Sequence, residues 1–371
     1  TCLTLPFKVV YSPAALCFGY FLLVFLQYGF VCAQHSSLSL ESRIRTIFGE
    51  KSQSVVRVKA TQVSKIGDKI KKHLKIGSGF FVSKEGHILT TGLLPKADRI
   101  WIEYKASYLL ADEVGHDPMC NLSLLKLVEV PADIDYIRVN DYSKNLDVGS
   151  FLIGITCALE FEVGPTWGLL QSYEYSFGQR LFPTKMIRTS LALGPGEVGA
   201  PVFDLNGRFV GLTHAALPDL KSSFLLPAKA CQRIRDDLLL SGEVEYGWFG
   251  ITTTLKLNES NSFEVVINGF VENSPAVKSN LKIGDILLKV GNQLIQNQGD
   301  LAKVSFFAEP KTILEFMIKR DGKELVVPLQ VTTRPKKQGM PSPTTDVKLD
   351  ESNSSSLPDL NSTKATITPN F

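Results

Sequence analysis

Cysteine is scarce and poorly spaced. Of the six in 371 residues, Cys2, Cys17 and Cys32 fall in an amino-terminal apolar segment, and only Cys120, Cys157 and Cys231 lie beyond it. Three isolated cysteines exclude a disulfide framework, and none stands at metal-ligand spacing; they read as small buried hydrophobes. Charge of one sign is also missing, because 40 Lys and Arg against 37 Asp and Glu leave a formal net charge of only +3. With no basic stripe interleaved with aromatics, that balance argues against nucleic acid as a partner. Nothing in the chain calls for a cofactor or a metal, and no internal repeat is present. Neither serine nor cysteine occurs between Gly194 and Pro201, which leaves that glycine-rich stretch without a hydroxyl or thiol nucleophile.

What is present is an ordinary globular composition, 44% hydrophobic and 21% charged, long enough for two domains and extensions. Lys8 precedes an apolar run over 14–26, and Val31-Cys32-Ala33 places small residues three and one before Gln34. This layout predicts a secretory signal over 1–33, cleaved after Ala33; an uncleaved anchor formed by residues 9–31 is the alternative. Either way the chain is expected to be exported, periplasmic or secreted. After a helical pattern at 38–48, short strands are predicted at 54–60, 76–82, 86–90, 100–104, 122–127, 151–155, 166–175, 186–190, 201–203 and 208–213, punctuated by Gly and Pro, as in an all-β barrel or sandwich. A helix is predicted over 227–240, stopped by Gly242. A second unit opens near Tyr246 and closes near Val331, with Trp248-Phe249-Gly250-Ile251, Ser274-Pro275-Ala276 and the turn Arg320-Asp321-Gly322-Lys323 as landmarks. From Arg334 onward polar residues replace apolar ones, so the tail 334–371 is expected to be disordered.

Residues 194–201 read Gly-Pro-Gly-Glu-Val-Gly-Ala-Pro. Other segments fall in a recognisable order around that loop: Gly77-Ser78-Gly79-Phe80-Phe81 through Thr90, Gly115-His116-Asp117 through Lys126, Asp147-Val148-Gly149 through Leu170, Phe203 through Leu212, and Pro227 through Gly250. Together they resemble the HtrA/Deg family, secreted trypsin-like serine proteases that carry PDZ domains, over about residues 45–331. The resemblance implies a mainly β chain: a trypsin-like double β-barrel domain over 34–240, a PDZ domain (a β-sandwich with helices) over 241–333, and the disordered tail.

The departures from the family are chemical. Where the family has its catalytic histidine, aspartate and serine, this chain aligns Leu93, Asn121 and Val198. Leucine accepts no proton, asparagine cannot stabilise an imidazolium, and valine has no lone pair with which to attack. What could survive is the oxyanion loop of Gly196, Glu197 and Val198, since backbone N–H groups persist whatever the side chains; Glu197 is expected to oppose a developing oxyanion by its charge, and Ala200 in place of a glycine to alter the loop. His87, His116 and His214 are the histidines nearest the expected site, and each reads as surface or structural. The resemblance further implies that Trp248, Phe249, Gly250 and Ile251 form a carboxylate-binding loop, with Leu301 and Val304 on a helix over 300–307 lining the pocket for a peptide C-terminus. The reading is a pseudoprotease that binds peptide C-termini or unfolded polypeptides in protein quality control, as chaperone, adaptor or regulator. The alternatives are an active serine endopeptidase with a non-standard site, or an inactive structural subunit in a mixed oligomer with an active relative. Trimerisation, common in the family, would involve Ile44–Phe48.

Overall fold

A computed structural model describes residues 39–66, 69–92, 97–144, 146–178 and 180–335. The expected signal or anchor, the tail beyond 335 and Leu93 lie outside these described residues. No helix among them is long and apolar enough to cross a membrane. The chain divides into two compact units, 1–50 and 51–371. The described part of the first is most of helix α1 (Leu40–Lys51).

The second unit begins with two closed barrels. Strands β1 (Val55–Ile66), β2 (Lys69–Phe81), β3 (His87–Thr91), β4 (Arg99–Tyr104), β5 (Ser107–Asp117) and β6 (Leu122–Leu127) close in the order β1-β2-β3-β6-β5-β4. Val58, Ile88, Ile102 and Leu125, all fully buried, anchor the core of this barrel. Strands β7 (Phe151–Thr156), β8 (Gly164–Phe177), β9 (Arg180–Thr189), β10 (Pro201–Phe203), β11 (Phe209–Leu217) and β12 (Ser222–Pro227) close the second in the order β10-β11-β12-β9-β8-β7. Its core includes Leu152, Leu170, Val202 and Leu225. Closure removes the exposed edges that an open sheet of this size would present.

Helix α2 (Ala228–Ser241) follows and buries Ala230, Cys231, Ile234 and Leu238 on one face; Gly242, at φ +74°, ends it with its N–H on the Leu238 carbonyl. A left-handed glycine is the usual way to stop a helix while satisfying its last carbonyls. The remaining strands are β13 (Gly247–Trp248), β14 (Ile251–Leu257), β15 (Phe263–Phe270), β16 (Ile286–Val290), β17 (Gln293–Leu294), β18 (Ile313–Arg320), β19 (Lys323–Gln330) and β20 (Thr332–Thr333), with helix α3 (Gln298–Phe307) between β17 and β18. The main sheet runs β14-β15-β16-β18-β19, so β14 is an edge strand. Asn297 and Asp300 make a reciprocal capping box at the start of α3.

The fold is thus mainly β, with twin barrels followed by a smaller sheet domain, as the sequence predicts. Two of the barrel strands escape prediction. β12 is buried at five consecutive positions, so no alternation marks it; β5 alternates poorly because several of its apolar side chains face solvent. The β1–β2 hairpin also runs well beyond its predicted ends, through a lysine-rich stretch whose polarity reads as loop.

Candidate functional site

The loop 194–201 keeps its glycine frame for steric reasons. Gly196 and Gly199 adopt φ of +86° and +92°. A Cβ on Gly199 would lie 2.1 Å from the Ser78 carbonyl oxygen, and one on Gly196 would lie 2.6 Å from the Leu159 nitrogen. Neither approach is open to a residue with a side chain. Ser78, on β2, holds the loop from the other barrel. Its N–H donates to the Val198 carbonyl at 2.9 Å, its hydroxyl donates to the Gly196 carbonyl at 2.9 Å, and the same hydroxyl accepts from the Cys157 N–H at 2.9 Å. Thr213, on β11, grips the far side: its hydroxyl donates to the Glu197 carbonyl and accepts from the Ala200 N–H, each at 2.8 Å. Ala200 is fully buried, and its N–H is satisfied by the Thr213 hydroxyl.

Val198, which the sequence resemblance aligns with the family's serine, is half-buried. Glu197 differs from expectation in its direction. Its carboxylate accepts from the Gly194 N–H through one oxygen and from the Thr156 hydroxyl, at 2.5 Å, through the other. The charge is tied back into the loop's own turn, where it braces the frame. Gly194 leaves room for this, since a Cβ there would lie 3.3 Å from the carboxylate.

Asn121 adopts a left-handed conformation at φ +51°, and its carbonyl accepts from the Gly92 N–H at 3.2 Å. A Cβ placed on Gly92 would lie 3.8 Å from both the Asn121 Nδ2 and the Lys75 Nζ. The residue that the resemblance aligns with the family's aspartate is therefore a neutral amide with an ammonium group in its neighbourhood.

The other candidate bases are three histidines. His87 Nδ1 is 2.8 Å from the Ser83 hydroxyl, and burial, aided by Lys126, lowers its pKa. His116 Nδ1 is 2.9 Å from the Ser123 hydroxyl, which donates to Glu113 at 2.9 Å. His214 follows Thr213 on β11; burial and the charge of Arg180 push it down to about 4, and its Nδ1 is buried without a partner. The three cysteines are free and buried. Burial raises all three thiols, Cys157 to about 12, so none is a thiolate nucleophile at neutral pH. Among the described residues no three metal-ligating side chains converge.

The second candidate site needs only backbone. The Phe249 carbonyl accepts from Ala276 N–H at 3.1 Å, and the Gly250 carbonyl accepts from Val271 N–H at 2.8 Å. A planar trans peptide points its N–H opposite its C=O, so the amides of Gly250 and Ile251 are directed away from those partners, side by side. Gly250 is obligatory: at φ +71°, a Cβ would overlap the Ser274 Cβ at 2.0 Å. Phe249 is buried edge-on against Phe316, with ring centroids 5.2 Å apart. Trp248 lies on β13, and Ile251 opens the edge strand β14. Leu301 is buried in the core of this domain and Val304 packs partly buried against that core, so both expected pocket residues serve first as packing.

Sequence reasoning missed the residues that position both sites. Ser78 acts on residues 118 positions downstream. Tyr246 donates to Asp117, 129 residues away, at 2.7 Å. Tyr175 on β8 donates to Asp300 of α3 at 2.6 Å. The Arg233 guanidinium lies 5.4 Å from the Tyr246 ring centre and 5.6 Å from that of Phe306, and donates to the carbonyls of Phe306 and Glu245. A periodicity carries no trace of contacts at such separations.

Comparison with known proteins agrees with this geometry. The trypsin-like peptidase domain matches residues 77–212, and the PDZ domain matches residues 247–331. A probable periplasmic serine endoprotease, DegP-like, of Pseudomonas fulva is 29% identical over 286 residues, covering 74% of this chain and 59% of that protein. Its counterpart in a Marinomonas species is 29% identical over 274 residues, covering 70% and 57%. The chain thus spans less than two thirds of the length of these relatives. The structure of the HtrA-type protease AlgW with a decapeptide aligns at a TM-score of 0.64 with 19% identity, covering 79% of this chain and 99% of that one; at that identity the likeness is one of fold. Twin barrels followed by an edge-strand domain fit these matches: the chain carries a trypsin-like peptidase domain followed by a PDZ domain, and it is similar to DegP-like serine endoproteases.

Proposed function

We propose that this chain is a catalytically silent HtrA-like protein that works outside the cytoplasm by binding peptides. Its PDZ domain takes peptide C-termini or exposed segments of unfolded chains, and the protein serves quality control as a chaperone, an adaptor or a regulator of an active relative. The observation that carries the reading is Val198 at the apex of a loop held by Ser78 and Thr213. The frame that would present a nucleophile is intact, and the nucleophile is a hydrocarbon. Loss of nucleophile or base alone costs about a million-fold in turnover, and further losses add little. The reading is supported by Asn121, a neutral amide, by the hydroxyl partners of His87 and His116, and by the burial and Arg180 charge that push His214, next to Thr213, down to about 4. Export is supported by the amino-terminal apolar run and by relatives named as periplasmic proteases. Assembly as a homotrimer, or with an active relative, belongs to the same reading.

An active endopeptidase is the second reading, favoured only by the names of the relatives. A casein digestion separates the two. The natural chain is expected to be silent, and the triple variant Leu93→His/Asn121→Asp/Val198→Ser to cleave measurably. Cleavage by the natural chain that survives in Val198→Ala would reject the proposal, because a different nucleophile would then be at work.

A further inference from the structure

We infer that Gln298 is a latch across the PDZ peptide groove, closing it to any peptide that reaches three residues in from its carboxylate. The inference rests on the peptide-binding reading of that groove and adds a regulation to it.

The geometry begins at the edge strand. In a β-strand the N–H and C=O of one residue point to the same side, and successive residues alternate sides. The Gly250 carbonyl is taken by Val271, at the β15 side. Ile251 and Thr253 therefore present their polar groups to the free edge. The Thr253 carbonyl is already engaged there: the Gln298 side-chain amide, at the start of α3, donates to it at 2.6 Å, and lies 3.5 Å from the Thr253 hydroxyl. Thr253 is only 8% exposed, a low value for an edge strand. Leu301, one helical turn on, is buried in the domain core. Helix and strand are thus drawn together over the groove.

A peptide whose carboxylate sits on the Gly250 and Ile251 amides must run antiparallel to β14. Its last residue then faces Ile251, and its third residue from the end faces Thr253. The N–H of that third residue needs the carbonyl that Gln298 holds. A dipeptide does not reach it. The latch cannot open by sliding α3, because the helix start is fixed: Asp300 accepts from Tyr175, and Gly299 lies so close to the Tyr175 ring that a Cβ would come within 2.1 Å of it. Opening is therefore a rotation of the Gln298 side chain alone, and the peptide's main-chain bond is made only in exchange for the amide's.

The test compares the full chain with Gln298→Ala and Gln298→Glu; the second keeps the side chain's length but removes its donor. The probes are random hexapeptides ending in free-carboxylate valine, the same pool amidated at its C-terminus, and a pool of dipeptides ending in valine. Both variants should hold the free-carboxylate hexapeptides about fivefold more tightly than the natural chain, the worth of one exchanged hydrogen bond, with dipeptide binding unchanged. Hexapeptide binding that is equal or weaker in both variants overturns the latch while leaving the groove as a peptide site. If no free-carboxylate pool binds better than the amidated one to any of the three proteins, the groove reading fails and the latch fails with it.

Discussion

Two loops in this molecule are built alike and have fared differently. The loop 194–201 and the loop 248–251 both depend on glycines at positive φ that a neighbouring chain would clash with if any side chain were present. Both turn backbone carbonyls inward onto fixed partners. On the proposed reading the first would present a side chain for chemistry, and that side chain is valine. The second would present only amides, which do not depend on side-chain identity. A function that rests on a side chain can be removed by one substitution that leaves the frame standing. A function that rests on backbone direction is lost only when the frame itself is lost.

The comparison can be broken most severely at its glycines. Gly199→Ala puts a methyl 2.1 Å from the Ser78 carbonyl, and Gly250→Ala puts one 2.0 Å from the Ser274 Cβ. Each combines overpacking with a strained φ and should cost about 3–5 kcal/mol, read as a large fall in the thermal midpoint; Gly250→Ala should also abolish peptide binding. Next comes Ser78→Ala, which strips the hydroxyl from the Gly196 carbonyl and the Cys157 N–H in a buried site. A loss of about 2–3 kcal/mol in denaturant unfolding is expected, with peptide binding unaffected. The smallest effect sharpens the comparison best. Val198→Ser should change stability by about 1 kcal/mol or less, since the side chain is half-buried and its backbone bonds remain. A much larger loss would mean that valine is structural, and that the loop has been rebuilt around it.

The mainly β architecture is legible in the sequence because short apolar runs set off by Gly and Pro mark most strands of both barrels. The direction of Glu197 is not legible: a carboxylate beside an oxyanion loop reads as a repulsive charge until Thr156 and the Gly194 N–H are found around it. β12 carries no period of two, because five of its consecutive positions are buried. Leu301 and Val304 sit on the helix the sequence predicts, but which side chain fills the core and which faces the groove is decided by the neighbouring sheet. Gln298 gives no signal at all, since its partner lies 45 residues earlier on a strand that only the folded domain brings across from it.

The bond between Tyr246 and Asp117 bears on the order in which the polypeptide is made. Asp117 is buried at the end of β5, its carboxylate also caps the turn to Asn121 by accepting from Met119 and Cys120, and burial raises its pKa against the pull of those bonds. The residue that completes its shell is synthesised 129 positions later, after the second barrel and the linking helix. The carboxylate shell of Asp117, at the corner beside Asn121, is therefore completed only once the polypeptide has been made as far as Tyr246.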